Sequence, residues 1–416
     1  MADKKNIVIC CDGTGNEFGD DNSNVVKLYA TLDINEKQIG YYHPGVGTMG
    51  APSANNKLEE EWSVLKGLAF GAGLMDNVGD AYRYLMDLYS EGDDIYLFGF
   101  SRGAYTARAL AGLLHMFGLL CPGNEGLIPY VTRMFAQASR NLAKHQDSFD
   151  VAERFKTTFS RDVTLHFVGV WDTVSSVGWI YNSVTLPFSA RNPDMKIGRH
   201  AVSIDERRCF FRDNLWGKPF EPGEPGYRFD VKQDIKQVWF AGVHSDIGGS
   251  YAEAESGLSK LTLEWMLREA SLAGLIVDPA RAAVILGYMP LPHGEHLPYA
   301  KPDPAACIHN SLTAAWWPVE FLPHTHYDKQ AREIQWRIPL GARRFIPVDK
   351  SIVMHESVQQ RLDAGDNLEV CKGFDAGKSY APSNLPEGKL EEYFTIEKRV
   401  KFPEFTERAQ STSAGL

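Results

Sequence analysis

Cysteine is scarce and scattered in this chain of 416 residues. Its six cysteines, Cys10, Cys11, Cys121, Cys209, Cys307 and Cys371, show no CxxC spacing. A zinc ribbon or a disulfide framework is therefore a poor reading, and buried free thiols in a reducing compartment fit better. Long apolar runs are missing as well: no stretch reaches the roughly 18 apolar residues that a membrane-spanning helix needs. Met1-Ala2-Asp3-Lys4-Lys5 leads directly into Asn6-Ile7-Val8-Ile9-Cys10-Cys11 without a secretory signal, so a protein made in the cytoplasm is expected, any delivery out of the cell being signal-independent. Positive charge is in deficit, with 43 Lys and Arg against 53 Asp and Glu, a net charge of −10. Nucleic-acid binding is excluded on that ground. Electrostatic docking on an anionic membrane is disfavoured too, which leaves only transient surface contact through a local patch. His293-Gly294-Glu295-His296 and His324-Thr325-His326 lack a helical HExxH frame, so neither a metal nor a cofactor is expected.

What is present is ordinary globular composition, 44% hydrophobic and 23% charged, with length enough for a large α/β domain and an appendage. Strands are expected at Asn6–Asp12, Gln38–Pro44, Asp94–Phe100, Val163–Trp171 and Lys236–Val243, several of them nearly continuous apolar runs. Helical stretches at Asn77–Tyr89, Ala104–Phe117 and Leu258–Ala273 fall between or after them. Such alternation implies βαβ units, a mainly parallel sheet flanked by helices, and a site at the carboxyl ends of the strands. The expected division is a catalytic domain over residues 5–330 and a C-terminal extension over 331–416 packed on it. Insertions near 125–160, helical, and 176–234, loop-rich, would form a cap over the sheet.

Gly99-Phe100-Ser101-Arg102-Gly103 joins an apolar strand to a good helix former. A sharp strand-to-helix turn crowds the positions two before and two after its central residue, and glycine suits both. The turn lifts the Ser101 hydroxyl above the sheet at a helix N-terminus, where the Arg102 N–H is a natural oxyanion donor. An acid and then a histidine should follow, each just past a strand. Asp172 after Val170-Trp171 and His244 after Ala241-Gly242-Val243 meet that order. Asp246 is a rival acid, but two residues from His244 it better caps the next turn. Cys11-Asp12-Gly13-Thr14-Gly15-Asn16 is a glycine-rich loop after the first strand, and the N–H of Gly13 or Thr14 would be the second oxyanion donor. His43 is a candidate for the mouth of the site. Trp316, Trp317 and Phe321 are candidates for an acyl-lining wall or interfacial anchor, or simply for core beneath a cap.

The segments Cys11–Asn16, Gly99–Ala104, Val170–Val174 and His244–Gly249, with Ser203-Ile204-Asp205-Glu206-Arg207-Arg208, together resemble the catalytic domain of the type VI secretion phospholipase effectors. These are the first lipase effector family, also grouped as a domain of unknown function, number 2235. The resemblance implies an α/β-hydrolase fold and a triad carried here by Ser101, Asp172 and His244. It implies cleavage of lipid or phospholipid esters through an acyl-enzyme, and it allows for a secretion or immunity partner. Two rivals stand beside it: a soluble carboxylesterase or thioesterase on small acyl compounds, and a hydrolase-like binding protein without catalysis. The sequence pattern specifies no oligomer.

Overall fold

The computed structural model describes residues 4–13, 19–45, 70–138, 145–174, 178–179, 182–183, 186–290, 299–328, 333–369 and 379–402. Eight strands form one sheet: β1 (Asn6–Cys11), β2 (Gln38–His43), β3 (Asp94–Phe100), β4 (Leu165–Trp171), β5 (Met195–Ser203), β6 (Asp234–Phe240), β7 (Val353–His355) and β8 (Thr395–Glu397). Their spatial order is β8-β7-β6-β5-β4-β3-β1-β2, and every pairing in it is parallel. Helices cover both faces, as an all-parallel sheet requires.

Alternation along the strands divides the core into two layers. Ile7, Ile9, Ile95 and Leu97 point to one face, against α2 (Phe70–Leu88), α3 (Arg102–Phe117) and the helices Ile128–Ala138 and His145–Phe159. Val8, Cys10, Tyr96, Phe98 and Phe100 point to the other, against α1 (Asn24–Thr31) and the helix Gly257–Leu272. Strands buried on both faces have little room for polar residues, which is why β1, β3 and β4 read directly as apolar runs.

The stretch 176–234, expected as a loop-rich insertion, contains β5, the nine-residue strand between β4 and β6. Its sequence, MKIGRHAVS, shows no apolar run because two central polar residues are neutralised across the fold. Arg199 pairs with Asp234 at 2.6 Å and with Glu269. His200 accepts the Thr173 N–H at 3.1 Å, and burial pulls it down to about 3, so it stays neutral. The strands β7 and β8 have three residues each and carry no readable period. The expectation of free thiols throughout also needs correction: Cys307 is disulfide-bonded. Cys10, Cys11, Cys121 and Cys209 are free, and Cys121 is exposed.

Candidate active site

The strand ends lie level with one another. Cys11 pairs with Gly99, Phe100 with Trp171, Trp171 with Ala201, and Phe240 with Ser203. The residues that follow each strand therefore emerge side by side at the carboxyl edge of the sheet. Ser101 follows β3, Asp172 follows β4, Ser203 ends β5 and His244 comes shortly after β6.

At Ser101 the chain turns sharply, with φ 58° in the left-handed region, a strained conformation for a residue with a Cβ. The turn is possible because its flanks are bare. A Cβ on Gly99 would stand 2.5 Å from the Gly103 carbonyl oxygen, and one on Gly103 would stand 2.1 Å from that of Cys11. These obstacles are backbone and cannot swing aside. Gly103→Ala is accordingly expected to destabilise the fold by about 1–3 kcal/mol or more, read as a lower urea midpoint. A midpoint equal to that of the parent would show the elbow to be looser than its contacts imply.

Ser101 and His244 are joined at 2.8 Å between Oγ and Nε2. His244 and Asp172 are joined at 2.6 Å between Nδ1 and Oδ2. All three side chains are buried. With Asp172 ionised, Nδ1–H donates to the carboxylate, and the Nε2 lone pair is left to accept the serine proton. Two rings pack against the imidazole, Phe100 at a tilt 4.7 Å away and Phe211 edge-on at 4.8 Å between centroids. The Phe100 ring in turn occupies the space where a Cβ on Gly248 would sit, 2.0 Å away.

Electrostatics polarise this chain of contacts. Burial pushes the Asp172 carboxyl up, but Arg344 and His244 more than offset it and hold the acid well below the usual carboxylate range. Burial pulls His244 below its ordinary value of 6.5, outweighing the opposing pull of Asp172. The imidazole is therefore neutral at pH 7 and can accept a proton. If it serves as a base, kcat/KM should fall about tenfold per pH unit on the acid side, with a midpoint below pH 6.5. A profile flat down to pH 4.5 would remove His244 from that role.

Three features of the site were not readable as such. Arg344, from the C-terminal third, reaches Asp172 with both terminal nitrogens, Nη1 to Oδ1 at 2.5 Å and Nη2 to Oδ2 at 3.0 Å. Glu206 is buried and accepts the backbone N–H of His244 at 3.2 Å. Burial raises that carboxyl, but Arg208 together with His244 and Arg344 outweighs burial and holds it at about 2. The Ser203 N–H donates to Asp172 at 2.9 Å, and its hydroxyl donates to the Gly242 carbonyl at 2.7 Å. Segment 203–208 is thus the brace that fixes both the acid and the histidine turn. Its resemblance to a family segment was the only signal of it in the sequence.

The other candidate residues are distributed as follows. Asp246 accepts from Val243 N–H at 3.0 Å and pairs with His309 at 2.6 Å, so it caps the turn as expected. Gly13 lies beside the elbow, but its N–H donates to the Asp12 carboxylate at 2.7 Å. The same carboxylate holds Ser23 at 2.5 Å and Tyr42 at 2.9 Å. Thr14 lies outside the described residues. Arg102 heads α3. His43 ends β2, two strands from β3, and faces Asp80 at 3.7 Å. Trp316 packs edge-on against Phe211 at 5.6 Å, which places it one ring away from His244. Trp317 and Phe321 meet at a tilt, 5.9 Å between ring centroids, and are exposed. Residues 293 and 296 fall outside the described residues, and among those described no group of three or more metal-type side chains converges.

An all-parallel α/β sheet whose carboxyl edge carries an elbow serine hydrogen-bonded to a histidine, itself bonded to an acid, defines a hydrolase-like α/β protein. The chain belongs to the family described as type VI secretion system, phospholipase effector Tle1-like, catalytic domain, whose model matches residues 5–269. It is 37% identical over 396 residues to the uncharacterized protein YEL023C of Saccharomyces cerevisiae, an alignment covering 66% of this chain and 58% of that protein. The chain thus spans well under two thirds of the curated relative it matches. A crystal structure of an uncharacterized protein from Pseudomonas aeruginosa is similar at 20% identity and a TM-score of 0.40, covering 67% of this chain and 47% of that one. The Tle1 effector bound to the VgrG spike of the type 6 secretion system is similar at 19% identity and a TM-score of 0.30, covering 61% and 52%.

Proposed function

We propose that this protein is a serine hydrolase that cleaves lipid esters through an acyl-enzyme. The observation that carries the reading is the unbroken contact chain Ser101 Oγ–His244 Nε2–His244 Nδ1–Asp172 Oδ2, at 2.8 and 2.6 Å, on a strained elbow. In this reading His244 takes the Ser101 proton as the oxygen attacks the ester carbonyl, and Asp172 holds the tautomer and stabilises the imidazolium. His244 then returns the proton to the departing alcohol. A water deprotonated by His244 releases the acyl group, and Ser101 recovers its proton. The oxyanion would lie at the N-terminus of α3, where the Arg102 N–H and the helix dipole favour negative charge. The Gly13 N–H would have to exchange its Asp12 partner for the oxyanion. No cofactor enters any step.

Family membership supports a lipid ester as substrate. The surface beside the site supports the same choice over a small ester. Trp317, Phe321 and Leu340 are exposed, the first two on the turn that follows Trp316, the partner of Phe211. The Leu340 N–H donates to the Glu320 carbonyl, which ties the 336–341 stretch to the Trp317 turn. Exposed apolar side chains on a turn joined to the site through Trp316 and Phe211 suit a lipid surface.

The test is fluorophosphonate labelling of purified protein, followed by phospholipid and short-chain ester panels. Labelling, with turnover that rises sharply once the lipid aggregates, is the expected result. A smooth dependence on short-chain esters, with no response to aggregation, would move the protein to the esterase reading. Absence of labelling in the folded protein would leave a binding protein.

A further inference from the structure

We propose that Arg344 is a positioning residue for the candidate triad, a guanidinium fork that fixes the Asp172 carboxylate and sets how strongly it draws on the His244 imidazole. The proposal rests on the catalytic reading above. Arg344 lies outside residues 5–269, which the family model matches.

The geometry points to a built clamp. Each terminal nitrogen of Arg344 meets one oxygen of Asp172, the planar two-point match that guanidinium makes with carboxylate and lysine cannot reproduce. Its remaining donors are used as well. Nη1 reaches the Ser203 carbonyl at 3.2 Å, and Nε reaches that of Phe211 at 3.1 Å. Arg344 and Asp172 are 7% and 1% exposed, so this is a charge pair out of water. The clamp is itself held, because Asn384 donates to the Arg344 carbonyl at 3.0 Å and to that of Ile204 at 2.9 Å. Next to it Arg343 pairs with Asp205, whose other oxygen takes the Gly242 N–H at 2.7 Å and the Tyr380 hydroxyl at 2.8 Å. Residues from the chain's last quarter thus grip both the acid and the turn leading to the histidine.

A buried acid faced only by neutral donors would present a full negative charge to the imidazole. Here the cation cancels that charge at close range, so Asp172 orients His244 without making it strongly basic. The other charged groups around the pair are Arg208 and Glu206 near His244, and Asp213 and Glu206 near Arg344; His200 beside Thr173 is neutral. None of them bonds both oxygens of Asp172. Removing the guanidinium therefore has two separable effects. It frees the carboxylate to rotate, which lowers kcat, and it uncovers the charge, which makes His244 easier to protonate.

Two variants read these effects apart. Arg344→Gln is expected to lower kcat about 10²-fold with KM within about threefold, and to move the acid limb of kcat/KM upward by about one pH unit or more. Arg344→Lys keeps a cation, which guards the fold, but loses the fork. Its acid limb should stay near that of the parent while kcat falls about tenfold or more. An unmoved limb in the Gln variant would overturn the proposal. So would a Lys variant with the parent's kcat, even if the Gln variant failed to fold. Fluorophosphonate labelling of the parent separates the two levels. Unlabelled parent protein defeats the catalytic reading itself, whereas a labelled parent with indifferent Arg344 variants defeats only the clamp.

Discussion

Ser101→Ala protein is expected to fold like its parent and to lose ester hydrolysis by about 10⁴-fold or more. The side chain is small and the elbow is set by backbone and glycines, so removing one oxygen leaves the turn in place. Alanine even keeps the Cβ that already sits at φ 58°. The loss should fall on kcat, because the hydroxyl reacts rather than binds. Fluorophosphonate labelling should vanish with it, while the urea midpoint stays within about 0.5 kcal/mol equivalent of the parent. Retained hydrolysis or retained labelling would mean that another residue is the nucleophile, and the contact chain at Ser101 would then need a different explanation.

The second large effect is expected at Asp172, where rate and stability should fail together. Asp172→Asn presents an amide to both His244 and Arg344. The wrong imidazole tautomer is then favoured, and a loss of ~10⁴-fold in kcat follows. The same change strips the buried Arg344 of its counter-charge, leaving it the carbonyls of Ser203 and Phe211. Removing one partner of a buried ion pair typically costs about 3–5 kcal/mol. Adding Arg344→Met to this variant should recover much of that stability and none of the rate. A single variant within tenfold of the parent's kcat would show that Asp172 does not orient the histidine.

The parts of this site that were legible in the sequence are those whose requirements are local. Gly99 and Gly103 are demanded by the turn between them, and Asp172 and His244 announce themselves by standing just past apolar strands. The strands β3 and β4 are readable because both of their faces are buried. Strand β5 was missed because Arg199 and His200 interrupt its apolar pattern, and their partners Asp234, Glu269 and Thr173 are supplied by other parts of the fold. Arg344 was invisible for a related reason. Nothing near it in the chain distinguishes it from Arg343, and its meaning arises from a contact spanning 172 residues. Gly13 illustrates a finer limit: the loop lies where expected, but the direction of its N–H is set by the neighbouring Asp12. Glu206 and Ser203 were noticed only as part of a resemblance, since bracing a backbone turn leaves no spacing rule in sequence.

The distance along the chain between Asp172 and Arg344 also has a consequence in time. A protein is made from its N-terminus at about 5–20 residues per second, so Arg344 leaves the ribosome roughly 10–30 s after Asp172. Strands β7 and β8, which complete the far edge of the sheet, come later still. For that interval the nascent chain holds its serine and its acid, and later its histidine, without the cation that balances the acid. Translation order therefore leaves the site incomplete until the chain's last quarter emerges. In the catalytic reading, full hydrolytic rate would then arrive only once the last quarter of the chain has been made.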